Sequence, residues 1–373
     1  MREIISLEKA LLAFDEISTW PGYCATPLHT LAGLAARCNV GQVFYKDESC
    51  RFELKSFKAL GGSYAVAKQV IREIADATGA RPTMNDLFSK KYACIVAELT
   101  VATATDGNHG RSVAWGAQLF GCACIIYIHE DVSAAREKAM VDLGADVRRV
   151  AGNYDDSVRE VAGAAGENDW IVVSDNSYPG YTEIPKDVAA GYSVMLNETV
   201  DQLAGQIPTH VFIQGGCGGL AATVCGYFWE RWAERRPRLI IVEPEQANCL
   251  QLSAAAGKMI VVDGELVTLM AGLACGEVSL LAWEILKPGA DDFLTLPENR
   301  VAMSMRMLAN GEGDDPSIEA GESAVAGVGA LLALSGDIEA RDALGIVTNS
   351  TVLLFGTEGA TDSQLYEKLI AES

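Results

Sequence analysis

From residue 92 onward, short apolar runs alternate with stretches of helical spacing, the pattern of parallel strands joined by covering helices. YACIVAEL (92–99), CACIIYI (122–128), DVRRVAG (146–152), WIVVSD (170–175), HVFIQGG (210–216), LIIVEP (239–244) and TVLLFGT (351–357) read as strands. Helices are predicted near 108–120, from Ser133 with Glu137 in its first turns, near 155–167, and over 185–203, 219–234 and 320–335. Gly144 closes the second of them. Ligands of such sheets bind beyond the carboxyl ends of strands, so the loops 103–109, 175–181, 214–219 and 356–362 become candidate walls of a site along one edge. LANGEGDDP (308–316) has loop chemistry, either a solvated connection or a lid.

Composition narrows the function. With 373 residues, 49% of them hydrophobic and 21% charged, the chain has material for about two domains and a buried core. Lys plus Arg is 29 against 50 for Asp plus Glu, a net charge of −21, which repels phosphate backbones and anionic membranes. Nucleic acid is excluded as a partner on that ground. MREIISLEKALLAF lacks the basic start and cleavage site of a signal peptide, and apolar runs stay far short of the roughly 20 residues that span a bilayer. Ten cysteines without a C-x-x-C pair predict free thiols in a reducing cytoplasm. The four histidines stand apart from them, so no metal site is expected.

Three segments carry chemistry. SFKALGGSY (56–64) sets Lys58 among apolar residues, where a lysine loses hydration and its amine becomes a usable nucleophile, although a surface lysine reads the same in isolation. QGGCGGLAA (214–222) joins a strand to a helix through four glycines, a cup of amides for a phosphate. The same run fits G-x-G-x-x-A through Gly216, Gly218 and Ala221, with Glu243 ending the next strand, so a dinucleotide site competes. TATDGNHGR (103–111) is a polar turn entering a helix, and Asp106 and Asn108 there can bind a carboxylate and a ring hydroxyl. A lysine, a phosphate cup and an amide-rich turn together favour pyridoxal phosphate, since a dinucleotide needs no lysine.

At these residues the chain resembles the fold type II pyridoxal phosphate enzymes, which include threonine and serine dehydratases, and more closely the diaminopropionate ammonia-lyases. KDES (46–49), FKALGG, ATDGNHGR, NYDD (153–156), IVEPEQANC, MAGLACGE (270–277), WEIL (283–286), GES (321–323) and TEGATD (357–362) carry the likeness over nearly the whole chain. The resemblance implies an α/β fold of two open, mostly parallel twisted sheets covered by helices. It also implies a large cofactor-binding domain (1–91 and 182–373), a small domain (92–181) and a cytoplasmic homodimer. Lys58 would hold the cofactor as a Schiff base with Phe57 against the ring. Gly215, Gly216, Cys217, Gly218 and Gly219 would cup the phosphate, Asn108 would meet the ring hydroxyl, and Thr357 the pyridine nitrogen. Cys217 departs from the small apolar residue commoner in that loop.

Asp106 discriminates. Hydroxyamino acid dehydratases usually place a small neutral residue before GNHG, whereas a carboxylate can attract a β-ammonium and act as a base opposite Lys58; it can equally cap the following helix. Tyr154 and Asp175 match further substrate positions, and Cys249 and Cys275 match two family cysteines. The expected reaction is α,β-elimination of D- and L-2,3-diaminopropionate to pyruvate and ammonia, with Lys58 serving the L-isomer and Asp106 the D-isomer. Alternatives are serine or threonine dehydration on the same scaffold, a nicotinamide-dependent oxidoreductase built on the glycine loop, and a catalytically silent binding protein.

Overall fold

Long apolar runs in this chain can be buried on both faces, and they form the strands of two sheets. The computed structural model describes residues 2–105, 107–152 and 154–371, with Asp155 by its backbone alone. In chain order the strands are β1 (Leu28–Thr30), β2 (Gln42–Asp47), β3 (Thr100–Ala104), β4 (Ala123–His129) and β5 (Asp146–Val150). They continue with β6 (Ile171–Val172), β7 (His210–Gln214), β8 (Arg238–Pro244), β9 (Asp292–Leu296) and β10 (Thr351–Gly356). One sheet has the order β1-β2-β10-β7-β8-β9, parallel except for β1; the other, β5-β4-β3-β6, is parallel throughout.

The six-stranded sheet belongs to a unit made of residues 1–11, 24–57 and 193–373, and the four-stranded sheet to a unit of residues 12–23 and 58–192. The segment 92–181, expected as the small domain, lies inside the second unit, which also takes in helix Lys58–Thr78. The reason is packing: Ser63 N–H donates to Ser112 Oγ at 3.0 Å, and a Cβ on Gly116 would stand 2.8 Å from the Ser63 Cα, so this helix and Asn108–Phe120 meet backbone to backbone. In the first unit the apolar helix Ala326–Leu334 lies on β7 and β10, where a Cβ on Gly327 would come within 3.2 Å of the Phe212 Cβ. Strand β7 is buried along its whole length, as its unbroken HVFI run requires.

Several expectations need correction. The run 92–99 is not a strand: Ala93–Val96 is a short helix and β3 follows it. Ala, Leu and Glu there favour a helix, while Thr100, Val101 and Thr103 are the β-branched residues that suit a pleat. The four strand-end loops do not share one edge, because 103–109 and 175–181 leave the four-stranded sheet and 214–219 and 356–362 the six-stranded one. The acidic loop is tied down: Asp315 accepts the Gly33 and Leu34 N–H groups, each at 2.8 Å, and Arg37 pairs with Glu312 at 2.9 Å.

Candidate active site

In the unit that holds the four-stranded sheet, Lys58 is the first residue of helix Lys58–Thr78. Its Nζ donates to the carboxylate of Asp175, in the loop after β6, and lies 5.8 Å from the centre of the Tyr192 ring. The apolar setting read from the sequence is therefore incomplete: a carboxylate sits on this amine. His109 supplies the third member. Its Nε2 is 2.9 Å from the carbonyl oxygen of Val173, so that nitrogen carries the hydrogen, and its Nδ1 turns toward Asp175 at 3.8 Å. Among the described residues Nδ1 has no hydrogen-bond partner. Burial opposes ionisation of Asp175, but the Lys58 ammonium beside it, with a smaller effect from the neighbouring His109, outweighs burial and holds the carboxyl well below the usual carboxylate range.

The turn before helix Asn108–Phe120 is built by Thr105, whose Oγ1 accepts the N–H groups of Gly107 (3.1 Å) and Gly110 (3.2 Å). Asn108 opens the helix, and its Oδ1 accepts from Arg111 at 3.4 Å. Asp106 lies outside the described residues. Tyr154 opens helix Tyr154–Asn168 and is 42% exposed, so its place in the substrate set rests on the resemblance alone.

In the other unit, the glycine run closes β7 and starts helix Gly219–Trp232. Its N-cap is Gly218, which has no side chain to cap the helix, and the first-turn amides of a helix opened this way favour an anion. Gly216 and Gly218 have φ of 62° and 95°, which a side chain would resist, and a Cβ on Gly215 would meet the Glu243 Cγ at 2.5 Å. Glu243 is not free for a ribose. Its two carboxylate oxygens accept the N–H groups of Leu250 (2.9 Å) and Gln251 (2.8 Å), and burial pushes its carboxyl up to about 7 although those bonds pull the other way. Thr357 is buried just past β10, and its carbonyl accepts the N–H of the buried Phe57 at 3.0 Å. All ten cysteines stand outside any disulfide, Cys249 and Cys275 among them; Cys249 Sγ donates to the carbonyl of Gly216 at 3.5 Å.

A lysine amine beside a carboxylate, and a glycine-opened, uncapped helix N-terminus, are the parts a phosphorylated aldehyde requires. The family model for pyridoxal-phosphate dependent enzymes matches residues 19–349, so the class is established and pyridoxal 5'-phosphate is its cofactor. The diaminopropionate ammonia-lyase of Escherichia coli (strain K12) is 38% identical over 99% of this chain and 93% of its own length. The crystal structure of the E. coli enzyme in complex with D-serine is 36% identical, with a TM-score of 0.91 over 98% of this chain and 93% of that one. A structure of the same enzyme with an aminoacrylate-PLP azomethine reaction intermediate gives 0.89, at 36% identity over 98% and 92%. Within the pyridoxal phosphate enzymes, this chain belongs to the diaminopropionate ammonia-lyase family. Among the described residues no helix is long and apolar enough to cross a membrane.

Proposed function

We propose that the protein cleaves D- and L-2,3-diaminopropionate to pyruvate and ammonia. The observation that carries this is the amine of Lys58 held by Asp175 at the start of a helix, in a chain that matches ammonia-lyases from end to end. Lys58 would hold the cofactor's aldehyde carbon and Phe57 would lie against its ring. The amides of Gly215, Gly216, Cys217, Gly218 and Gly219 would take the phosphate, Asn108 the ring hydroxyl and Thr357 the ring nitrogen. Bound there, the cofactor supplies an electron sink for the bonds at the substrate Cα.

The chain's own groups move the protons. With its amine free, Lys58 Nζ would take the Cα proton of the L-isomer, and the Asp175 carboxylate would stabilise the ammonium so formed. Asp106 takes the Cα proton of the D-isomer and its charge draws in the β-ammonium, the leaving group. Lys58 keeps Asp175 in place and ionised, and His109, fixed through Nε2 on the Val173 carbonyl, lines the other side of that carboxylate. Over the cycle one water is consumed, and one pyruvate and two ammonia molecules leave. Thr357 is a neutral partner for the ring nitrogen, which favours elimination over transamination. A cytoplasmic homodimer is part of the proposal. Comparing kcat/KM for both diaminopropionate isomers and for L-serine tests it: L-serine turned over far faster than either isomer would make the protein a dehydratase.

A further inference from the structure

Beneath the segment that leads into Lys58 lies a closed cluster of charges. The side chains of Lys46, Glu48, Arg51 and Glu198 are at most 1% exposed, two cations against two carboxylates. Arg51 uses all its nitrogens: Nε donates to Glu48 at 2.8 Å, Nη1 to Glu198 (2.8 Å) and to the Cys24 carbonyl (3.3 Å). Its Nη2 reaches Glu48 (2.8 Å), Glu198 (2.7 Å) and the Thr26 hydroxyl (3.0 Å). Lys46 Nζ donates to Glu198, the Thr26 carbonyl and Gln202. Burial opposes ionisation of Glu198, but Arg51 and Lys46 outweigh it and hold its carboxyl below the usual carboxylate range.

Buried ion clusters are costly to desolvate, and apolar residues of similar volume often serve stability as well. The backbone immediately after Arg51 gives this cluster a purpose. Phe52, Glu53 and Lys55 have φ of 48°, 61° and 56°, three non-glycine residues in the left-handed region within four positions. Such a run persists only where its surroundings over-determine it. On its downstream side it is fixed by the Lys55 carbonyl, which accepts from Gly359 N–H at 3.0 Å, and by Phe57 N–H on the Thr357 carbonyl. Upstream, the anchor is Arg51. Lys58 comes directly after Phe57 and opens its helix there.

We propose that Arg51 is a positioning residue for the cofactor lysine: clamped between Glu48 and Glu198, it locks the segment 52–55, with its left-handed Phe52, Glu53 and Lys55, that delivers Lys58. This rests on Lys58 being the cofactor lysine, which borohydride reduction of the wild-type holoenzyme and peptide mapping check separately. A label elsewhere overturns that assignment and this proposal with it. With the label on Lys58, Arg51→Lys, which keeps the charge and loses the fork, is compared with wild type by titrating pyridoxal phosphate and following the visible absorbance of the lysine-bound form. The expected result is a dissociation constant raised about 10- to 100-fold. Adding Glu53→Gly should recover at least half of that loss on a logarithmic scale, because glycine holds the left-handed conformation without a clamp. Glu53→Gly alone should stay within about twofold of wild type. If Arg51→Lys does not fold, Glu198→Gln, alone and with Glu53→Gly, gives the same readouts. Unchanged affinity in the folded clamp variant, or a double variant no better than the single, overturns the proposal, since a purely structural cluster would not be rescued by relaxing residue 53.

Discussion

Substituting alanine at Gly216 and at Gly218 separates two demands on the phosphate loop, one of backbone conformation and one of space. At Gly216 the φ of 62° lies in the left-handed region, and a Cβ would find its nearest neighbours at 3.6 Å (Gly272 O), 3.7 Å (Leu273 Cδ2) and 3.8 Å (Cys275 Sγ), all ordinary contacts. Only the conformational penalty applies, about 1–2 kcal/mol. At Gly218 the φ of 95° is further from anything an L-residue adopts, and a Cβ would stand 2.9 Å from the Ala282 Cβ, 3.1 Å from Leu250 Cδ2 and 3.2 Å from Leu286 Cδ1. Overpacking of that kind adds about 1–3 kcal/mol, so Gly218→Ala should cost roughly 2–5 kcal/mol in total. Urea unfolding of the cofactor-loaded and the stripped protein, with cofactor affinity measured alongside, reads both. Gly218→Ala should unfold at clearly lower urea than Gly216→Ala in the stripped protein, where no ligand contributes. Equal losses, or a greater loss at Gly216, would refute the claim that helix packing around Ala282 and Leu286 shapes this loop.

Asp106→Asn should lower pyruvate release from the D-isomer by about 10²- to 10⁴-fold and from the L-isomer by less, whereas a mere helix cap would leave both nearly unchanged. Asp175→Asn removes the charge partner of Lys58 and should lower kcat/KM for both isomers by about 10- to 100-fold while leaving the borohydride label on Lys58. The raised carboxyl of Glu243, about 7 when folded against a reference of 4.5, contributes stability that is complete below pH 4.5 and lost as pH rises through 7. That contribution is of order 3 kcal/mol, and Glu243→Gln should flatten this part of the pH–stability curve measured by urea unfolding.

The alternation of apolar runs and helical stretches made the parallel α/β architecture legible, because buried parallel strands such as β7 and β8 must be apolar throughout. It failed where residue type and burial part ways. Strand β9, DFLTL, is short and half-buried at a sheet edge, and β1 and β2 lie in a stretch without the strand–helix rhythm. Lys58, Asn108 and the glycine loop stood out through local composition. The partnership of Lys58 with Asp175 and His109 did not, since it joins residues far apart in the chain. A carboxylate closing the apolar run WIVVSD was the available sign. The clamp on Arg51 was likewise hidden, because Glu198 comes from the last turns of a helix, 147 residues further along the chain. Glu243 shows the converse: its position at a strand end suggested a ribose, and the structure commits it to the amides of Leu250 and Gln251.

The elimination is tested most directly by measuring ammonia and pyruvate together from wild-type protein supplied with 2,3-diaminopropionate. Loss of the β-amine followed by hydrolysis of the α-imine predicts two ammonia molecules for each pyruvate, with either isomer and without added nicotinamide. A ratio of one, or consumption of the substrate with no pyruvate formed, would contradict it.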